Sequence, residues 1–572
     1  MTFATLSQYL ARLEDTSSRL EITQLLRELL QVTSKDDIAV TCYLVLGQLA
    51  PVYEGVVFNV ATNFMLRAIA QSYGKDIEDV KTAYKKAGDV GIVAQEYAKG
   101  AKRSIKRDLS IDEVYRDLTK LAQEEGEGSQ ERRIHGLALL LAKLDPTSVR
   151  YLSRIPMGNL RLGFSEKTVL DALATLEEAD PHMKTRVLQA YEVLPDIGLL
   201  AQKIKTHGAA IATKNIEPVV GVPVMPMLAQ RIKSPTEMIK KMGKVAIEPK
   251  FDGVRVLIHL DKKRGIVKAY TRNLRDVSGM FPELSSLGQY LRANDVILDT
   301  EAVGIDKEME TLLDFQTTMQ RRRKHDIALT STKIPLQFQA FDILVKDGKD
   351  LMHAPYTTRR DVLGATVTKN PLILVDQYTV TQDPGVITKK HEEFRANGLE
   401  GIIVKKADSQ YVPGRTGWRW VKMKESEHSV AKLSDTIDGV IMGYTAGKGK
   451  RAAFGIGQFL VGVRDGEKIL TLTKVGTGIS DEDLEELGKT LKKQVTHTMP
   501  KEYTVAKLLT PDYWVTPFVV VELAGDDLTK SPQHTSGYAL RFPRLVKVRH
   551  DKGVSEITTK KEITTLFVAQ KK

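Results

Sequence analysis

A single cysteine, Cys42, stands in this chain of 572 residues. That excludes a disulfide framework within the chain and any zinc site built from several cysteines. A long apolar run is also missing. The most apolar stretch, TCYLVLGQLAPVYEGVVFNV, is broken by Gln48, Pro51 and Glu54 and reads as a buried helix with its turn. The opening residues, MTFATLSQYLARLEDTSS, have no basic segment leading into an apolar one, so no signal peptide is expected. The expected setting is cytoplasmic and reducing, without membrane association. No glycine-rich loop ending in Gly-Lys-Ser/Thr occurs, which excludes a P-loop nucleotide site. Internal repeats and low-complexity tracts are absent too.

The chain is too long for one hydrophobic core, and its 42% hydrophobic and 27% charged residues are those of a folded protein. A net charge of +12 favours a polyanionic partner. Residues 1–215 read as all-α: SRLEITQLLRELLQV places Leu20, Leu25, Leu26, Leu29 and Leu30 at amphipathic spacing. FSEKTVLDALATLEEAD offers Ser165 as a cap and Val169, Leu170, Leu173 and Leu176 as one face. Just before it, MGNLRLGF sets Arg161 between Gly158 and Gly163 at a helix N-terminus, which suits a phosphate; a plain glycine-rich turn fits the same residues. Pro218, Pro223 and Pro226 mark a linker. Residues 216–425 then mix short strands and helices, an α+β region. From 426 to 572 short strands resume around one helix, SDEDLEELGKTLKKQV with Ser480 as its cap, which suits a small OB-type β-barrel.

The middle region carries charged residues where strand cores are expected. In VAIEPKFDGVRVLIHL, alternation predicts that Glu248, Lys250 and Asp252 point one way, with Asp252-Gly253 as a hairpin turn. Asp299 and Glu301 of LDTE share a face, as do Trp420, Lys422 and Lys424 of WRWVKMK. Lysines, arginines and carboxylates from separate strands suit a polyphosphate with a divalent metal. Cations and partial burial around Lys250 would favour its neutral, nucleophilic amine. In EGIIVKK, Glu400 and Lys405 fall on opposite faces unless the strand begins after Glu400. The run QRRRKHD, Gln320 to Asp326, fits either a phosphate contact or a solvated loop.

EPKFDGVR resembles the Lys-x-Asp-Gly signature of covalent nucleotidyltransferases. With YTRN, LDTEAV, FDIL, EGIIVKK and WRWVKMK in order, the chain resembles ATP-dependent DNA ligases of the archaeal and eukaryotic replicative type. NLRLGFSEKTVLDAL is similar to part of their helical DNA-binding domain, and SPQHTSGYALRFPRLVKVRHDKG to their C-terminal OB-fold segment. The resemblance implies a multi-domain protein: an all-α DNA-binding domain, an α+β nucleotidyltransferase (adenylation) domain and a C-terminal OB-fold β-barrel. It implies that Lys250 carries AMP, that Glu248 meets the adenine edge and that Phe341 stacks on the base. Arg255 and Arg272 would reach the ribose and the nick 5′-phosphate. Glu301 and Glu400 would serve ribose and metal, and Lys422 and Lys424 the α-phosphate, with Arg415 a further nucleotide contact. Arg544, Arg549, Asp551 and Lys552 would orient pyrophosphate, and Arg161 would touch DNA. The implied cofactors are ATP and Mg²⁺ or another divalent cation, and the implied substrate is nicked double-stranded DNA held by a monomer. A sliding clamp is a further partner candidate, resting only on ITTLFVAQKK at the C-terminus.

Two other readings fit parts of the pattern. NAD-dependent ligases usually carry a four-cysteine zinc module, which one cysteine cannot build; RNA ligases and capping enzymes lack such a helical N-terminal domain. A non-catalytic nucleic-acid scaffold would have no reason to keep Lys250, Asp252, Glu301, Glu400, Lys422 and Lys424 together.

Overall fold

The computed structural model describes the chain except residues 59, 102–106, 159, 177–179, 181, 233, 307–310, 314–316, 319–320, 322–330, 332, 415–416, 425–435, 448–454, 477–480, 526 and 571–572. It divides into two compact units, Met1–Lys424 and Glu425–Lys572.

The first unit opens with helices from Phe3–Glu14 to Ala209–Ala212, around one hydrophobic core that includes Cys42. Helix Arg19–Val32 begins where the Ser18 side chain accepts a hydrogen bond from Glu21 N, and buries Ile22, Leu25, Leu26, Leu29 and Leu30. Leu20, expected on that face, is 85% exposed; Ile22, one turn before Leu26, is the buried residue in its place. Helix Glu166–Leu173 starts after Ser165 in extended backbone, but the Ser165 side chain makes no capping hydrogen bond.

After the proline-containing linker come two sheets. Strand Val245–Lys250 lies in a five-stranded sheet between Gly401–Lys406 and Thr379–Thr381, and Trp420–Lys424 pairs with the outer side of Gly401–Lys406. Strand Val254–Asp261 belongs to a seven-stranded sheet, between Ile266–Thr271 and Asp295–Asp306; Leu336–Lys346 lies beyond. The expected hairpin at Asp252-Gly253 is therefore not one. The chain leaves one sheet at Lys250 and enters the other at Val254, and Asp252 lies beyond the alternating strand. Gly253 answers to a close approach instead: a Cβ there would stand 2.4 Å from the Ala302 carbonyl oxygen.

The second unit is β-rich. Its long strand Ile437–Thr445 pairs with Gln458–Asp465 on one edge and with Tyr513–Val515 and Val520–Ala524 on the other. Lys468–Val475 continues the sheet beyond Gln458–Asp465, and Arg544–Val548 pairs with Val520–Ala524. Helix Asp481–Lys492 contributes Leu484, Leu487 and Leu491 to the core. Helix Lys560–Ala569 sends Ile563 and Phe567 into the same core, so the segment weighed as a clamp peptide spends those apolar residues on its own domain. No described helix is long and apolar enough to cross a membrane.

Candidate active site

A cavity of about 880 Å³ separates the two sheets of the first unit. Register determines what faces it. Lys250 stands opposite Gly401 and Gly401 opposite Lys424; Glu248 stands opposite Ile403 and Ile403 opposite Lys422; Ala246 stands opposite Lys405 and Lys405 opposite Trp420. Directly paired residues share a face, so all of these side chains project to one side. Glu248, Lys250, Ile403, Lys405, Trp420 and Lys422 accordingly line the cavity.

Glu400 reaches this face by another route. The strand begins at Gly401, whose φ of +144° favours glycine and where a Cβ would lie 2.3 Å from the Met423 carbonyl oxygen. Glu400, ahead of this irregular residue, turns its carboxylate between the Lys250 and Lys424 ammonium groups, bonding both. Its backbone N–H donates to Lys250 O at 3.0 Å. Burial raises the Glu400 pKa, but the two lysines outweigh it and hold the carboxyl below its ordinary range. The closest charge to Lys250 is thus an anion, where a crowd of cations was expected. Burial first, and then the charges of Lys250, Lys424 and Arg231, push the Lys422 pKa down.

The opposite wall comes from the seven-stranded sheet. Arg255 stands opposite Glu301 in register and grips Asp299 through two hydrogen bonds of 2.9 and 2.6 Å. Tyr411 donates to the same carboxylate at 2.9 Å and accepts from Met227 N at 3.0 Å. The Arg255 guanidinium lies 5.4 Å from the Phe341 ring centroid. Glu301 has its pKa pushed up to about 7 by burial, against the pull of Lys250 and Arg255. At the floor Glu248 is 1% exposed; its Oε2 pairs with Lys405 at 2.5 Å, while Oε1 has no hydrogen-bond partner among the described residues. Arg360 Nε stands 3.8 Å from Oε1, beyond hydrogen-bonding range. Lys405, also 1% exposed, sits 4.2 to 4.7 Å from the rings of Trp420, Phe341 and Tyr356.

Lys250, Glu248, Arg255, Arg272, Glu301, Phe341 and Lys422 all line the cavity, with Glu400 bonded to Lys250 and Lys424 bonded to Glu400. Arg415 lies outside the described residues. Arg161 is elsewhere: it adopts φ +60°, its Nε is 3.0 Å from Asp89, and its Nη2 donates to Gly88 O at 2.7 Å. Of QRRRKHD only Arg321 is described, and it is buried on Glu283 at 2.7 and 2.8 Å, neither solvated nor open to a phosphate. In the second unit Arg549 contacts Asp438 and Glu522 at 3.2 and 3.3 Å and Asp551 at 2.7 Å. Lys552 bonds Asp438 at 2.5 Å, and Arg544 opens the exposed edge of strand Arg544–Val548. Arg549 holds the Asp551 carboxyl well below the usual carboxylate range. Sequence reasoning missed Glu192 and Arg275 in the cavity wall and gave Lys405 no role. Alternation from Ile403 would have found Lys405; nothing local signals Glu192, which comes from a helix of the N-terminal region.

Comparison with known proteins follows the same order along the chain. Residues 2–174 match the DNA ligase N terminus family, 226–424 the ATP dependent DNA ligase domain, and 452–552 the ATP dependent DNA ligase C terminal region. Over its whole length the chain is 38% identical to a probable DNA ligase of Dictyoglomus turgidum, 98% of which is covered. It is 36% identical to a DNA ligase of Pyrobaculum islandicum, covering 100% of this chain and 99% of the relative. With DNA ligase 1 of Methanosarcina mazei it shares 35% identity over 99% of each. The solved structure Pmar-Lig_Pre has the same fold, with a TM-score of 0.57 over 96% of this chain and 99% of its own at 18% identity. The chain belongs to the ATP-dependent DNA ligase family and is an enzyme that joins DNA.

Proposed function

We propose that this ligase seals 5′-phosphate/3′-hydroxyl nicks in duplex DNA by carrying AMP on Lys250. The observation that carries this reading is the row Lys250–Gly401–Lys424 on the cavity face, with Glu400 turned between the two lysines. In the first step the neutral Lys250 amine attacks the ATP α-phosphate, the bond to the β-phosphate breaks and pyrophosphate leaves. The proton on the lysine must depart first, and Glu400 is the carboxylate beside it. In the second step an oxygen of the nick 5′-phosphate attacks the same phosphorus, the P–N bond breaks, and Lys250 takes a proton back. The 3′-hydroxyl then attacks the activated 5′-phosphate, a phosphodiester forms and AMP leaves.

The Glu248 Oε1, buried without a hydrogen-bond partner, suits an amino donor on the adenine edge, since an unmet buried acceptor favours a ligand that supplies its donor. Phe341 stacks on the base. Arg255 and Glu301 serve the ribose, Arg272 the ribose and the nick 5′-phosphate, and Lys422 and Lys424 the α-phosphate charge that grows during attack. Glu301 and Glu400 would hold Mg²⁺. Two carboxylates form a sparse site by themselves, and among the described residues no cluster of three metal-ligating side chains occurs. A cation that keeps several waters and shares its substrate's phosphates fits such a set. When bound it would neutralise phosphate charge. Residues 1–215 serve as the DNA-binding domain, with Arg161 as a DNA contact. Residues 216–425 serve as the adenylation domain, with Arg415 as a further nucleotide contact. Residues 426–572 serve as an OB-type domain whose Arg544, Arg549, Asp551 and Lys552 orient pyrophosphate.

The test separates the steps. Lys250→Ala should fail to seal a nick with ATP, yet still seal a nick that already carries AMP on its 5′-phosphate, because the last step does not use the lysine. Sealing with ATP by Lys250→Ala would overturn the assignment.

A further inference from the structure

Arg272 lies in a tight turn closed by two backbone hydrogen bonds, Leu274 N to Thr271 O at 2.8 Å and Thr271 N to Arg275 O at 3.0 Å. Leu274 holds φ at +61°, a left-handed conformation that is unfavourable for leucine and that turns ordinarily give to glycine or asparagine. Something must hold it there. Leu274 is 7% exposed and lies in the wall of a second cavity, of about 190 Å³, which it shares with Gln48, Val52, Tyr191 and Ile197 of the helical region. Arg272 lines this cavity and the nucleotide cavity alike. The turn is thus a partition, with the catalytic pocket on one side and the helices on the other.

The same junction is fastened at neighbouring points. Tyr270, just before the turn, meets the edge of the Tyr53 ring at 6.5 Å. Met225 N donates to Glu192 O at 2.8 Å. Glu192 itself enters the nucleotide cavity wall against Gly414, where an added Cβ would stand 2.4 Å from its Oε1.

We infer that Leu274 is a positioning residue: seated against the helical region in a strained turn, it sets where Arg272 points, so that the helical region governs the rim of the nucleotide pocket. The inference rests on the reading of Arg272 given above. A polar or absent side chain at 274 suits the backbone better than leucine does, so intrinsic turn preference predicts no loss of function. Loss of the anchor predicts that Arg272 wanders, and a displacement on the order of 1 Å at a reacting group costs on the order of 10²-fold in rate.

The full-length chain tests this with Arg272→Ala, Leu274→Gly, Leu274→Asn, Leu274→Met and the double variant Arg272→Ala/Leu274→Gly. Self-adenylation with ATP, sealing of a nick and sealing of a pre-adenylated nick are timed separately, and each variant's melting is followed. Leu274→Gly and Leu274→Asn should slow the same step as Arg272→Ala by about ten- to a hundredfold and leave the other steps near wild type. Leu274→Met should retain that step, and the double variant should be no slower than Arg272→Ala alone. If Arg272→Ala is impaired while the glycine and asparagine variants are not, or if the double variant shows additive losses, the inference fails. If the Leu274 variants slow every step together with a drop in melting temperature, Leu274 is structural only and the inference fails as well. If Arg272→Ala itself loses nothing, the assignment of Arg272 fails instead.

Discussion

Two charged clusters of this ligase face opposite conditions. In the first unit Glu248, Lys250, Lys405 and Lys424 stand on three adjacent strands, with Glu400 just ahead of the middle one, and Glu248 and Lys405 are almost wholly removed from water. In the second unit Arg549, Asp551, Lys552, Asp438 and Glu522 answer one another near the surface. A charge under water can be balanced by solvent; a charge under a sheet must find its partner in the fold or in a ligand. The first cluster leaves one carboxylate oxygen unmet, and the second is closed upon itself. One is therefore poised for a ligand, while the other must break its own pairs before it can serve a phosphate.

The largest effect should come from Glu400→Ala, which leaves Lys250 and Lys424 facing each other without an anion. Self-adenylation should fall by about 10²–10³-fold, the scale of losing one preorganised charged group, with melting less affected. Lys405→Ala should act mainly on stability, because it strands the Glu248 charge under the sheet; breaking a buried pair costs about 3–5 kcal/mol, read in chemical denaturation. Glu301→Gln sharpens the comparison through pH. The folded Glu301 carboxyl titrates near 7 against an ordinary 4.5, so the fold holds its proton more tightly than the unfolded chain does. That stabilisation is complete below pH 4.5 and is lost as pH rises to 7. In metal- and nucleotide-free buffer the melting temperature of wild type should therefore fall relative to that of the non-titrating Glu301→Gln over that interval. The smallest effect belongs to the second cluster: Asp551→Ala should leave melting nearly unchanged, because an exposed ion pair contributes little to stability. A large loss there would erase the distinction between the clusters.

Alternation along EPK, LDTE and WRWVKMK was enough to foresee which side chains share a face within each strand, because strand geometry repeats with period two; that Lys250, Glu301 and Lys422 meet at one cavity was an inference from the combined pattern and the family resemblance. Where local regularity ends, so did foresight. Gly401 opens the strand just after Glu400, as one of the two readings of EGIIVKK had it, but the φ of +144° and the close Met423 carbonyl that call for glycine there leave no local signal. Asp252-Gly253 has the residues of a hairpin turn, yet the strands it joins pair in separate sheets, which is a property of partners far away in sequence. Leu20 fits the helical stripe and is nevertheless exposed at the first turn of its helix, where the core does not reach. Glu192 and Leu274 were invisible because each matters through residues far away in sequence, Gly414 for the first and Gln48 and Val52 for the second.

The central claim is that Lys250 carries AMP. Incubation of the chain with α-labelled ATP and Mg²⁺, followed by a denaturing gel and mapping of the labelled peptide, tests it directly. The account predicts acid-labile label on the peptide containing Lys250 in wild type and none in Lys250→Ala; label that persists in Lys250→Ala, or that maps to another residue, would contradict it.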